Sequence, residues 1–352
     1  MHPRFVVAAF VVSAALYGQE TKTAGEAYKN VTQLKSIPAD QLGPTMQFMA
    51  AALGVNCEFC HVQGKMDADE KGAKRTAREM IAMTMEINKA SFRGQVQVSC
   101  YTCHRGSARP VGVPPVIESD TPAKTEARPP MPGGPGATAD QILEKWVTAL
   151  GGADALHKVT SRVLTGKILA NGSESPIEVL TKAPNKRISI THMPGGNDSY
   201  TAFDGTEGWM GGSSNVHQAR VMSPAESAAS SIDAEFYLPL RLKEVFPQLR
   251  RGRPEEINGA MCDALNASAP GKPALRLFFD QKTGLLVRMV RYAETPVGRM
   301  PTQIDYADYR DAGGAKIPFR WTLSRPNGRF TIQIAEAKVN GPIDDAKFAR
   351  PQ

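Results

Sequence analysis

Four of the chain's five cysteines fall into two copies of one pattern, Cys57-Glu58-Phe59-Cys60-His61 and Cys100-Tyr101-Thr102-Cys103-His104. C-x-x-C-H is the spacing by which a chain attaches haem covalently. Two thiols three positions apart on a helical turn both reach the vinyl groups on one edge of a haem, and the adjacent imidazole lies under the iron. Two rival readings use the same residues. A disulfide or thioredoxin-like pair gives no reason for a histidine directly afterwards, twice. A four-cysteine zinc site normally separates its pairs by roughly 15–20 residues, and Cys60 and Cys100 lie much further apart. The expected cofactors are two covalently bound haem c groups, attached at Cys57, Cys60, Cys100 and Cys103, with His61 and His104 on the irons.

The second axial ligand can be narrowed by elimination. Beyond His61 and His104, the six histidines include only His2, His157, His192 and His217, none of them in the haem region. Methionine is plentiful there: Met46, Met49, Met66, Met80, Met83 and Met85. A thioether opposite histidine raises the reduction potential and closes the iron to substrates, which favours electron transfer over peroxide or oxygen chemistry. Met46 to Leu53 is rich in Ala and Met and stops at Gly54, a good helix terminator. From Gly72 to Asn88, Ala73, Ala77, Met80, Ile81, Thr84 and Ile87 recur on one helical face. The layout is helix, turn, haem motif, repeated twice.

The segments "TMQFMAAALGVNCEFCHV", "AREMIAMTMEIN" and "VSCYTCHRG" resemble the cytochrome subunit of bacterial photosynthetic reaction centres. In that family the helix before each haem motif carries the axial methionine. The resemblance thus gives Met46 to the first haem and Met80 to the second, opposite His61 and His104. The family subunit has four haems, whereas two motifs stand here, and no histidine lies between His61 and His104 to serve a missing pair. The resemblance spans about a fifth of the chain and implies haem sites rather than a role in photosynthesis.

Residues 1–19 read as a signal peptide, with His2, Pro3 and Arg4 before a nearly all-apolar run from Phe5 to Leu16. A run that short falls below the roughly 20 residues of a membrane span. An uncleaved N-terminal anchor is the alternative; in either case the rest of the chain is exported, periplasmic and with peripheral membrane association left open. Residues 20–107 form the expected all-α dihaem domain. Residues 108–136 follow as a linker, rich in Pro among Gly, Thr and charged residues, a composition that cannot bury a core.

Residues 137–352 change period. Thr138 and Gln141 make a T-x-x-Q capping box that opens a helix. Strands are expected at 162–169, 177–181, 187–191, 200–203, 274–279, 285–292, 303–309, 316–323 and 329–335, with helices inserted over 225–246. The fold class is α+β: a small all-α c-type part, a linker, then a curved antiparallel sheet or half-barrel with a few helices. This half, with "FFDQKTGLLVR" and "YADYRDAGGAKIPFRW", resembles lipoprotein carriers of the LolA and LolB type, which implies an apolar ligand or lipid on a concave sheet; a docking or structural module is the alternative. His157, His192 and His217 show no metal-ligand spacing. Cys262 reads as a buried, inert thiol, and Trp209 and Trp321 as packing residues.

The charge of +7 is spread without an aromatic-interleaved basic run, which argues against nucleic acid. The expected function is a dihaem electron carrier that exchanges electrons with other redox proteins. A dihaem redox enzyme such as a peroxidase, or a carrier of apolar ligands through the C-terminal half, are the alternatives.

Overall fold

The computed structural model describes residues 22–110 and 136–351, apart from positions 171, 197, 213–218 and 326–327. The expected signal segment, most of the Pro-rich linker and His217 lie outside the described residues.

The first stretch is helical: α1 (Ala24–Ala27), α2 (Ala39–Leu53), α3 (Gly72–Phe92) and α4 (Cys100–His104). Helix α2 starts ahead of the Met- and Ala-rich run and carries Pro44 inside it. Proline normally signals a break in mid-helix, so the pattern alone places the start after it. The helix ends where expected, with Gly54 at φ 66°. Helix α3 runs on to Phe92 and stops at left-handed Arg93.

In the second stretch α5 (Ala139–Ala149) and α6 (Ala153–Lys158) precede β1 (Ser161–Ala170), β2 (Ser173–Lys182), β3 (Lys186–Thr191), β4 (Ser199–Phe203), β5 (Gly208–Gly212) and β6 (Arg220–Val221). After α7 (Pro224–Ala234) and α8 (Leu238–Val245) come β7 (Gln248–Arg251), β8 (Glu255–Ile257), β9 (Ala260–Ser268), β10 (Ala274–Asp280), β11 (Leu286–Thr295), β12 (Gly298–Ala312), β13 (Ala315–Arg325) and β14 (Gly328–Val339). All fourteen strands form one curved, unclosed antiparallel sheet in the order β6-β5-β4-β3-β2-β1-β14-β13-β12-β11-β10-β9-β7, with β8 beside β9.

Alternation explains the strands. In β13, Ile317, Phe319 and Trp321 face the core while Lys316 and Arg320 are exposed. The concave face is filled by Ile142, Leu143 and Trp146 of α5, Ile232 of α7 and Leu242 of α8. The expected capping box opens α5: Thr138 Oγ1 accepts from the Gln141 amide at 3.3 Å, and Gln141 Oε1 accepts from the Thr138 amide at 2.8 Å. A second core on the opposite face joins Leu180, Ile188, Ala202 and Trp209 to Phe348, with Trp209 Nε1 donating to the Phe348 carbonyl at 2.7 Å.

The helical stretch touches the sheet at the β11–β12 turn. Thr295, Val297 and Met300 are buried there. Gly298 lies flat against the Phe48 ring of α2, and any Cβ at that position would strike the ring. Arg220 of β6 also comes within electrostatic range of Tyr28 and Asp40.

At the start of α7, Glu226 accepts from Arg220 at 2.7 and 2.8 Å and from the Ser223 amide at 3.0 Å. Partial burial pushes its carboxyl pKa up, but Arg220 and Ser223 outweigh that and leave it below the ordinary value. A depressed folded pKa contributes stability that is present above the unfolded value and lost as pH falls through the folded one. Denaturant midpoints of the wild type should therefore drop from about pH 5 downward. Glu226→Gln should start lower at neutral pH and lose part of that acid slope. An unchanged slope in the variant would remove Glu226 from the acid response.

Candidate functional site

The helical stretch is short of core. Among its described residues, Ala24, Leu34, Ile37, Ala52 and Ile81 are the buried apolar ones. Its interior is instead a cavity of about 1200 Å³, lined by α2, α3 and both C-x-x-C-H segments. That exceeds the roughly 300–1,000 Å³ of a pocket for a single drug-sized ligand. Phe59, Met66 and Tyr101 stand 44%, 56% and 55% exposed, large apolar groups with little to cover them.

Both motifs form helical turns, the first as a 3₁₀ turn over Cys57–Phe59 and the second as α4. Asn56 caps the first, its side chain accepting from the Phe59 amide at 3.1 Å. Cys57, Cys60, His61, Cys100, Cys103 and His104 all line the cavity. Burial raises the thiol pKa of Cys60, opposed by Lys71, and burial likewise raises that of Cys100. None of the five cysteines is paired with another in a disulfide. Among the described residues no three His, Cys, Asp or Glu side chains are gathered as metal ligands, so the two pairs do not converge as a four-cysteine zinc site requires.

The imidazoles are oriented alike. His61 Nδ1 is 2.9 Å from the Met66 carbonyl, and His104 Nδ1 is 2.9 Å from the Ser107 carbonyl. A carbonyl accepts only, so Nδ1 carries the proton in each ring and Nε2 keeps its lone pair for a metal. Of the methionines, Met46, Met49, Met66, Met80 and Met83 line the cavity. The residue set thus matches the chemistry of haem c: paired thiols, an imidazole with free Nε2 and thioethers around one apolar space.

Three contacts that sequence patterns do not reveal hold these turns. Buried Asn88 of α3 donates to the Val98 carbonyl at 2.7 Å and accepts from the Gln97 and Val98 amides at 3.0 and 2.9 Å, fixing the approach to α4. Lys74, also buried, donates to the Met66 and Ala68 carbonyls at 3.0 and 2.9 Å. The Gly106 amide donates to the Ala52 carbonyl of α2 at 2.9 Å, and Gly54 packs so closely on Gly106 that no Cβ fits there. This last contact ties the exit of the second motif to the entry of the first. Asn88→Ala strands two partly buried amides and a carbonyl, and should cost about 1–3 kcal/mol of stability. Thermal unfolding of the matured protein checks it, and an unchanged midpoint would mean that 97–98 is held by other means.

Elsewhere the expected bystanders are as read. His157 and His192 are exposed, His192 beside Asp198 at 3.2 Å, and Cys262 is buried. Trp209 and Trp321 are core residues.

Residues 6–132 match the family model described as the photosynthetic reaction centre cytochrome C subunit. The chain is 32% identical over 110 residues to the photosynthetic reaction center cytochrome c subunit of Roseobacter denitrificans, a match that covers 27% of this chain and 30% of that protein. It is 31% identical over 91 residues to the same-named subunit of Thermochromatium tepidum, covering 25% and 22%. The chain thus spans under a third of the length of these relatives. Among solved structures, a LolA superfamily protein from Nitrosomonas europaea aligns at 15% identity and TM-score 0.43, covering 60% of this chain and 98% of that one. A DUF1329 family protein from Desulfovibrio piger aligns at 12% identity and TM-score 0.43, covering 60% and 96%. Among the described residues no helix is long and apolar enough to cross a membrane.

Proposed function

We propose that the helical stretch binds two covalent haem c groups and that the chain is an exported, periplasmic electron carrier serving other redox proteins. The observation that supports this most is the single cavity lined by both C-x-x-C-H turns, with the Nε2 of His61 and of His104 left free for iron. Cys57 and Cys60 anchor the first group, and Cys100 and Cys103 the second. Bound haem supplies one-electron exchange at its iron. The protein's part would be to hold each imidazole by its Nδ1 proton, exclude water with the apolar walls and offer a thioether from the cavity lining. Met46 and Met80 take that last role. Both line the cavity, each on the helix that precedes a motif. A thioether ligand would raise the potential of a bound haem and suit electron transfer rather than peroxide chemistry.

A carrier role for the sheet is the second reading. It requires α5, α7 and α8 to yield part of the concave face that their apolar side chains fill.

The test is the visible spectrum of the matured protein, oxidised and reduced, with covalent haem counted per chain. Two low-spin haems with a methionine–iron charge-transfer band are expected. A high-spin haem in either state would favour a dihaem enzyme, and a colourless protein would overturn the haem reading altogether.

A further inference from the structure

We infer that the concave face of the sheet carries an oxyanion site, formed by Arg187, Arg291 and Arg325, which takes the phosphate or carboxylate of an anionic ligand. Met289 pairs with Ile304 and Ile304 with Leu323, all three on the core face. Two residues along each strand, on that same face, stand Arg291, Thr302 and Arg325 in one row. Strands lie about 4.8 Å apart, so the backbones of the two arginines are on the order of 10 Å apart. Arg187 enters from β3, its neighbour on the same face being Ser189, to which it donates at 2.9 Å.

Helix α7 crosses between these walls. Asp233 Oδ1 accepts from Arg291 at 2.8 Å, and the Ala229 carbonyl accepts at 3.2 Å. Arg187 is within electrostatic range of Asp233, Tyr306 and Arg291, and Arg325 is within range of Arg291, Asp233 and Glu226. Glu226 is already committed to Arg220. Counting Arg220 with Glu226, four guanidinium groups here share two carboxylates among the described residues, Asp233 and Glu226. Arg291 is 8% exposed, Arg187 half-buried and Arg325 open to solvent. Desolvation lowers the pKa of Arg187, yet guanidinium does not deprotonate in proteins, so its charge needs a partner, whereas Arg325 is reached by solvent. Planar forks of this kind match phosphate and carboxylate.

Calorimetry on the full chain at low salt, with inorganic phosphate and separately with decanoate below its micelle concentration, tests the site. Saturable binding of at least one probe is expected, weakened at least about tenfold by Arg325→Gln and by Arg187→Gln. Phosphate binding alone would mark a site for a free anion; decanoate binding alone would mark one for the head group of an amphiphile. Arg325 is exposed, so its variant decides the matter if Arg187→Gln fails to fold. No binding of either probe, or binding unchanged in Arg325→Gln, would overturn the site.

A separate observation, resting on the haem reading above, concerns Lys74. The Met66 carbonyl that accepts from His61 Nδ1 also accepts from the Lys74 ammonium, whereas no cation touches the Ser107 carbonyl that serves His104 among the described residues. Asp69 pairs with Lys74 at 3.2 Å but divides itself with Arg78 at 2.9 Å, so the trio keeps a positive charge. A carbonyl already engaged by an ammonium draws less on the imidazole proton, which makes His61 the weaker electron donor to iron. We propose that Lys74 raises the potential of the first haem above that of the second. Redox titration of the Cys100→Ser/Cys103→Ser variant, which keeps the first haem, should show a lower midpoint when Lys74→Met is added and little change with Lys74→Arg. Lys74→Gln substitutes if the Met variant does not mature. An unmoved midpoint would sink the role of Lys74 while leaving the haem reading intact; absence of covalent haem from the wild type would sink the reading itself.

Discussion

Replacing Cys57 and Cys60 together by Ser is expected to lower the covalent haem content from two per chain to one, and Cys100→Ser with Cys103→Ser should do the same from the other side. Each turn is held by contacts of its own, Asn56 and Lys71 around the first and Asn88 behind the second. Loss of one attachment should therefore spare the other. Removing all four thiols should do more than remove colour. With Ala24, Leu34, Ile37, Ala52 and Ile81 as its buried apolar residues, the helical stretch has little else to fold around. Cofactor binding energy then becomes folding energy, as it does in small metal-dependent domains. The four-thiol variant should lose helical circular dichroism from this stretch and be cut there by protease, while the sheet survives. Denatured-protein mass spectrometry counts the haems. Two haems retained in the Cys57/Cys60 variant would show that these thiols are not attachment points.

Phe279→Ala should be the most damaging single change in the sheet, at about 3–5 kcal/mol. Phe279 of β10 is 2% exposed and meets Trp146 of α5 edge-on, with centroids 5.2 Å apart and planes at 61°. Truncation leaves a cavity between helix and sheet that neither can close, because α5 is fixed by its capping box and its other core contacts. Denaturant unfolding followed by the indole signal measures the cost, and the haem spectrum of the native variant should not change. A loss under about 1 kcal/mol would mean that the helix settles into the space.

Much of this was legible in the sequence, for reasons that differ by region. The two C-x-x-C-H turns could be read because Cys57, Cys60 and His61, like their counterparts in the second copy, fall within one helical turn. Strands such as β13 could be read because one face is apolar and the other charged, and α5 because Thr138 and Gln141 sit at capping distance. Strands β5 to β9 escaped notice. Gly-Trp-Met-Gly-Gly in β5 and Ala260–Ser268 in β9 are rich in residues of low strand propensity, and they adopt strands because neighbours on the sheet pair with them. The seat of Phe48 on Gly298 joins segments distant in the chain, and Asn88 and Lys74 reach into irregular loops beside their own helix, where no periodic pattern encodes the contact.

The close approach of Gly54 to Gly106 bears on how fast charge can move inside the molecule. Electron tunnelling falls steeply with distance, and a bridge whose length fluctuates yields a spread of rates. Here the backbone that leaves one haem turn is hydrogen-bonded to the helix that leads into the other. With no side chain between the two glycines, this joint would hold the two turns, and any haems bound to them as proposed, at one spacing. The pair would behave as a fixed-length relay, passing charge internally at a single rate and leaving encounter with the outside partner as the slow step.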